Sequence, residues 1–239
     1  MVAVTDLPTT APRPQAIADR GIDALLRAAH AQRDVTMRGR DEALLALLIY
    51  AGLRAQEAAD VQVRDLDLAA GTLTVRRGKG GAARRLPLHP DAQRLLERYL
   101  RTVRCPAGLP ALDTPAERTA LLLHQDRATP GQPWQPGITT TRIAQLVRRL
   151  GQTAAIQLDH DARHMADVTQ AQALATLVQR LHTVSPHMLR HSLARRRLHT
   201  GAQLPTIQRV LGHRRLSTTG IYLTPDEDDV REALGRAGV

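Results

Sequence analysis

The chain has 239 residues, of which 43% are hydrophobic, so it can bury the core of one large domain or two small ones. Its 33 Lys and Arg residues outnumber 23 Asp and Glu residues, and the formal charge of +10 favours a polyanionic partner, nucleic acid before an acidic membrane surface. The single cysteine excludes an intramolecular disulfide, and no apolar run is long enough for a membrane span, so we expect a cytoplasmic protein with no membrane contact.

The N-terminal part of the chain predicts a lead-in followed by helices. Residues 1–20 are rich in Thr, Pro and Ala without periodicity, which indicates a flexible segment. Apolar residues then recur at helical spacing over residues 22–33 and 40–51. Gly52 ends the second helix, and a short helix is expected from Ala55. The near absence of aromatic residues means that Leu, Ala, Val and Ile must build the core, which suits packed helices.

A β-hairpin is predicted next. Residues 71–76 alternate as a strand, residues 78–81 (Gly-Lys-Gly-Gly) form the turn, and residues 84–88 form the return strand. Pro87 places that second strand at a sheet edge or near its end.

The middle of the chain predicts helices and one further strand. Helical spacing covers residues 90–101, 141–150 and 160–182, and the leucine run at 121–123 is a candidate third strand. We therefore expect a mainly α protein with a small antiparallel β-sheet, an α+β fold.

A cluster of basic residues follows a strong helix start. Ser185 suits the N-cap, and Pro186 suits the first helical position. His187, Arg190 and His191 then stand at i, i+3 and i+4, so they share one face at the positive end of the helix, where a phosphate can bind. The alternative interpretation is a basic surface patch that binds nothing.

The next helix, over residues 204–211, has an apolar stripe and is followed by Gly212 at its C′ position. His213 therefore emerges just past a firmly anchored helix end. Taken alone, this histidine is more often structural.

The chain has three tyrosines. Tyr50 and Tyr99 lie in apolar helical stretches and look structural, whereas Tyr222 lies among polar residues on a short helix that Ser217 can cap. A single tyrosine in isolation is more often a packing or interface residue.

These segments together resemble the tyrosine recombinase, or phage integrase, family. Its pattern is an Arg after Gly-Leu, a Lys in a hairpin turn, His-x-x-Arg, Gly-His, and a Tyr nine positions later. The resemblance runs from about residue 40 to residue 225 and implies a tyrosine recombinase catalytic domain, a DNA breaking-rejoining fold, over residues 21–225. The matching positions are Arg54, Lys79, His187, Arg190, His213 and Tyr222.

The resemblance implies a role for each position. Tyr222 is the nucleophile that forms a 3′-phosphotyrosine and frees a 5′-hydroxyl, which conserves the bond energy without ATP. Arg54 and Arg190 donate hydrogen bonds to the nonbridging oxygens, and Lys79 protonates the leaving 5′-oxygen as general acid.

The remaining positions are supporting ones. The resemblance implies that His187 is the general base or proton shuttle and that His213 hydrogen-bonds the phosphate. Glu57 orients Arg54, and His191 supports the site from behind. No metal and no other cofactor is implied, because the guanidinium groups supply the positive charge.

His160 and His164 offer a different interpretation, since two His at i, i+4 resemble a shortened zinc-protease pattern. Asp161 replaces the Glu of that pattern, and no third ligand follows at a useful spacing. We therefore interpret this segment as the exposed polar face of a helix.

The chain departs from typical members of the family in three places. Only about 40 residues precede the matching region, so we expect the N-terminal core-binding domain to be absent. An extra helical stretch is expected at residues 152–184. A C-terminal helix at 226–239 can contact a neighbouring protomer or pack on its own domain. We expect a homotetramer on DNA and a monomer free in solution.

The sequence predicts a site-specific DNA recombinase or integrase acting on duplex DNA. The alternatives are a catalytically silent DNA-binding regulator of the same fold, a type IB topoisomerase-like enzyme and a transposase. A regulator has no need of Tyr222 or Lys79, and the Gly-His and His-x-x-Arg segments fit recombinases better than topoisomerases.

Overall fold

A computed structural model describes five stretches of the chain: residues 16–76, 83–112, 114–124, 137–165 and 167–212. Lys79, His213 and Tyr222 lie outside these stretches, and so does the helix predicted over residues 226–239.

The described part is mostly helical with one small sheet, which confirms the predicted fold class. The elements in chain order are α1 (Asp19–His30), α2 (Val35–Ile49), α3 (Ala55–Asp60), β1 (Leu66–Asp67), β2 (Thr72–Val75), β3 (Arg84–Pro87), α4 (Pro90–Tyr99), α5 (Thr140–Arg163), α6 (Val168–His182), α7 (Pro186–His199) and α8 (Leu204–Leu211). A 3-10 turn (Val63–Asp65) precedes β1, and a π-helical turn (Leu100–Arg104) continues α4.

The sheet is antiparallel in the order β1-β2-β3. Leu73 on β2 faces Leu86 on β3, and both side chains are buried. Pro87 is the last residue of the edge strand β3, as predicted, because an edge position does not need its missing N–H. The prediction of a third strand at residues 121–123 is wrong: the third strand is β1, and the leucine run makes only an isolated bridge, from Leu123 to Gly137.

The core is centred on α2, whose residues from Ala43 to Ile49 are all buried. A helix that is apolar all round has to be surrounded, and α1, α4 and α7 pack against α2. Its polar start is buried too. There the carboxylate of Asp41 accepts hydrogen bonds from Arg40 at 2.9 Å and from Arg149 at 3.0 Å. Charges buried in this way are stable only when paired.

The helices predicted at 141–150 and 160–182 have different bounds, because α5 runs unbroken through Gly151 to Arg163 and α6 begins at Val168. A Cβ atom on Gly151 would lie 2.3 Å from the carbonyl oxygen of Leu181 on α6. Gly151 therefore serves the close approach of the two helices rather than ending one of them.

The predicted lead-in is too long at its C-terminal end. Ile17 is buried, its backbone N–H donates a 2.7 Å hydrogen bond to the hydroxyl of Ser192 on α7, and α1 starts at Asp19. Residues 16–20 thus belong to the packed domain. Within the described stretches, none of the helices combines the length and the apolar character that crossing a bilayer requires.

Candidate active site

The centre of the site is a turn between α2 and α3. Gly52 adopts a left-handed conformation with φ of +64°, which suits glycine and ends α2. Two residues later, Arg54 is the N-cap of α3. The carboxylate of Glu57 accepts a hydrogen bond from the backbone N–H of Arg54 and another from its Nη1, each at 2.9 Å. Glu57 is buried while the Arg54 side chain stays 28% exposed, so the carboxylate orients a guanidinium that solvent or a ligand can reach.

Arg190 reaches the same carboxylate from α7. Ser185 caps this helix by accepting from Met188 N at 3.4 Å, and Pro186 is its first residue, as predicted. The guanidinium of Arg190 is almost fully buried and lies 3.7 Å from Oε2 of Glu57. It also donates to the carbonyl oxygens of Gly52 and Leu211. These contacts fix the start of α7 against the turn after α2 and the end of α8.

Arg84 on β3 is a third guanidinium, which the sequence reasoning missed. Its Nη1 and Nη2 each donate a 2.9 Å hydrogen bond to one carboxylate oxygen of Glu57, a bidentate pair. A signal was present in the sequence, because side chains two residues apart on a strand share a face. Arg84 therefore lies on the face of Leu86, a core residue, and needs a buried acceptor.

Three guanidinium groups around one carboxylate leave a local charge of +2. Burial raises the pKa of Glu57, but hydrogen bonds from Arg84 and Arg54 and the charge of Arg190 outweigh it and hold the pKa below its ordinary value. The carboxylate is therefore ionised at neutral pH. The remaining positive charge suits a phosphate group, and more so a phosphate whose oxygens gain charge during a reaction.

His187 lies in the first turn of α7 with its ring exposed. Partial burial, followed by the charges of Arg190 and Arg54, lowers its pKa. The ring is therefore neutral at pH 7 and can accept a proton. His191, one turn further along the helix, is buried.

The structure thus brings together four of the predicted residues, namely Arg54, Glu57, His187 and Arg190. It does not test Lys79, His213 or Tyr222, although three described residues lie close in sequence to the first two. Val75 and Arg84 are paired at the strand ends that flank the segment containing Lys79. Gly212, directly before His213 in the sequence, ends α8 as predicted, and it adopts a left-handed conformation with φ of +63°.

The two described tyrosines have structural surroundings, as predicted. The hydroxyl of Tyr99 donates to the carbonyl oxygen of Leu121 at 3.1 Å, and burial raises its pKa to about 12. Tyr50 stacks on the ring of His89 with 5.0 Å between centroids, and burial raises its pKa as well. A raised pKa disfavours the phenolate, which is the nucleophilic form of a tyrosine, so neither residue is a good nucleophile.

The composition gives a further signal that the sequence reasoning missed. Of the 33 Lys and Arg residues in the chain, Lys79 is the only lysine, and all the others are arginine. Arginine keeps its proton under all ordinary conditions, whereas an ammonium can give one up. This lysine is the residue that the resemblance predicts to be the general acid.

His160 and His164 are exposed near the end of α5, and their rings lie 4.6 Å apart. His164 Nδ1 is 2.8 Å from the carbonyl oxygen of His160. In the described stretches, no group of three or more His, Cys, Asp or Glu side chains is arranged to hold a metal ion.

The profile of the phage integrase family matches residues 17–228. Tyrosine recombinase XerD of Xanthomonas campestris pv. campestris is 35% identical over 209 residues, which cover 87% of this chain and 54% of that protein. Tyrosine recombinase XerA of Pyrococcus horikoshii is 30% identical over 198 residues, covering 83% and 55%. The chain spans about half the length of the curated relatives it matches.

Solved structures share the fold. The crystal structure of XerA recombinase has a TM-score of 0.65 at 23% identity and covers 95% of this chain and 67% of its own. XerH site-specific recombinase, bound to a palindromic difH substrate after cleavage, has a TM-score of 0.61 at 21% identity and covers 93% and 53%. The fold is that of a tyrosine recombinase catalytic domain, and the chain belongs to the phage integrase family.

Proposed function

We propose that this protein is a site-specific recombinase that cleaves and rejoins duplex DNA through a 3′-phosphotyrosine on Tyr222. The observation that carries the proposal is the carboxylate of Glu57, which joins Arg54, 2.9 Å away, to Arg190, 3.7 Å away. Two guanidinium groups from distant parts of the chain thereby converge on one carboxylate, which supports a scissile-phosphate site beside it.

The arginines stabilise the transition state. As the phenolate oxygen bonds to phosphorus, negative charge grows on the nonbridging oxygens, and preorganised guanidinium donors favour that state over the ground state. Removing one donor of this kind typically costs on the order of 2.7–4 kcal/mol in the barrier. The scheme uses neither ATP nor a metal ion, because the ester conserves the bond energy and the arginines provide the charge.

Proton transfer completes the scheme. His187, neutral at pH 7, takes the proton of the Tyr222 hydroxyl, and Lys79 gives a proton to the 5′-oxygen as its bond to phosphorus breaks. His213 hydrogen-bonds the phosphate, and His191 supports the site from α7. Rejoining is the reverse reaction, in which a 5′-hydroxyl attacks the phosphotyrosine.

Duplex DNA is the proposed partner, and a homotetramer is the proposed assembly on it. The charge of +10 supports a polyanion, and XerH was solved bound to a palindromic difH substrate. Most contacts expected at this site are to phosphate groups, which position the protein without reading sequence.

The test is covalent capture on DNA. The protein is incubated with a pool of nicked duplexes of randomised sequence, and denaturant-resistant complexes are isolated. We expect the wild type to form them and Tyr222→Phe to bind DNA but form none. DNA binding by the wild type without any covalent complex would favour the regulator. Relaxation of any supercoiled plasmid without exchange between two sites would favour a topoisomerase, and insertion at unrelated sites a transposase.

A further inference from the structure

We infer that Arg84 is a positioning residue for DNA cleavage, which orients Arg54 through Glu57 and fixes the end of α8 without contacting the phosphate. The inference rests on the proposed function for its catalytic consequence. The geometry on which it depends is entirely in described residues.

Arg84 and Glu57 form a bidentate pair. Arg84 binds both oxygens of Glu57 at 2.9 Å, so the carboxylate can neither rotate nor shift without losing two charge-assisted hydrogen bonds. The same two oxygens accept from the backbone N–H and the Nη1 of Arg54. Fixing the carboxylate plane therefore fixes the Arg54 guanidinium.

Arg84 also contacts the end of α8. Arg84 Nε donates to the carbonyl oxygen of Val210 at 3.3 Å, and its Nη1 lies 3.0 Å from the position that a Cβ of Gly212 would occupy. The guanidinium thus packs directly under the residue that precedes His213. Arg84 thereby connects β3, Glu57 and the end of α8.

The surroundings of Arg84 suit a positioning residue rather than a catalytic one. Each of the three nitrogens of the Arg84 guanidinium already donates a hydrogen bond inside the protein, Nε to Val210 and Nη1 and Nη2 to Glu57. The side chain thus spends its donors on protein acceptors rather than on a ligand. Other charged groups around Glu57 are Arg190 on α7 and, in the same cavity of about 360 Å³, Asp60, Asp65 and Arg76.

The test compares Arg84→Met with Arg85→Met, a matched control on the same strand. Arg85 is exposed and pairs with Thr72 and Asp67 instead of Glu57. Without DNA, we expect hydrogen exchange at the Arg54 amide to accelerate in R84M and stay unchanged in R85M, with the α2 amides unchanged in both. Equal protection of the Arg54 amide in both variants would overturn the inference, whatever the protein does to DNA.

With a duplex that the wild type captures covalently, we expect single-turnover cleavage by R84M to be roughly 10²-fold slower at unchanged DNA affinity. A methylphosphonate at the scissile position removes one negative charge, so the gap between R84M and R85M should shrink. A merely structural defect would persist on both substrates, and an R84M rate equal to that of R85M would also overturn the inference.

Arg84→Lys keeps the inference testable if R84M fails to fold. It preserves the charge but not the two-pronged geometry, so we expect an intermediate rate. A wild-type rate in R84K would show that charge alone matters and contradict positioning by the fork. Failure of the wild type to capture any duplex would count against the proposed function, while the exchange measurement still decides the role of Arg84.

Discussion

The Nη1 atom of Arg190 lies 3.7 Å from Oε2 of Glu57, a carboxylate that Arg54 already contacts at 2.9 Å. One buried anion therefore holds together guanidinium groups from the turn after α2 and from the start of α7. This relationship makes Glu57 as important to the site as the arginines it positions.

Replacing Glu57 with Gln should destabilise the protein by about 3 kcal/mol, because buried guanidinium groups lose their counter-charge. Chemical denaturation measures the change in the free energy of unfolding. Glu97→Gln is the control, since Glu97 pairs with Arg101 on an exposed helix surface, where the loss should stay below about 1 kcal/mol. Equal effects of the two substitutions would contradict the central place of Glu57.

Glu57 should also make the stability of the protein fall in acid. Its pKa in the folded protein is below the ordinary value of 4.5, so its contribution is complete above that pH and is lost as the pH falls through the folded pKa. The free energy of unfolding of E57Q should therefore fall less steeply than that of the wild type below pH 4.5. Parallel curves would show that the carboxylate is not held ionised by the arginines.

The pKa of His187 should rise when Arg54 is replaced with Gln, because one of the charges that disfavour its protonated form is removed. NMR titration of the imidazole protons measures this pKa directly. Arg64→Gln is the control, since Arg64 pairs with Gln62 and is not among the charges that lower the pKa of His187. An unchanged titration in R54Q would separate His187 from Arg54 and weaken a shared phosphate site.

Gly151→Ala should destabilise the protein by roughly 1–3 kcal/mol, because the new methyl group overlaps the backbone of Leu181 and forces α5 and α6 apart. Thermal unfolding measures the effect, with Gln152→Ala as the control on the exposed side of α5. A neutral G151A would mean that the two helices are not closely packed.

The Gly151 position also shows where the sequence misleads. A glycine inside an apolar pattern is compatible with a helix end and with a close helix contact, and only the tertiary partner distinguishes them. Arg84 is a similar case. Its position two residues before Leu86 indicates that it lies on the buried face of β3, but Glu57, which accepts its hydrogen bonds, is 27 positions away in the chain. By contrast, the start of α7 was predictable, because Ser185 and Pro186 act within one turn.

Lys79→Arg should slow DNA cleavage by roughly 10²–10⁴-fold, because a guanidinium cannot give up its proton to the leaving oxygen. A duplex with sulfur in place of the bridging 5′-oxygen should restore the rate, since a thiolate leaves without protonation. Both substrates are compared in single-turnover reactions. A K79R defect that persists on the sulfur substrate would assign Lys79 another role.

The most direct test of the central claim is to find which residue becomes bonded to DNA. A covalent complex is trapped on a nicked duplex, digested with nuclease and protease, and sequenced by tandem mass spectrometry. We predict a nucleotide adduct on the Tyr222 side chain. An adduct on Tyr50, Tyr99 or any residue other than a tyrosine would contradict the mechanism, even if the protein cleaves DNA.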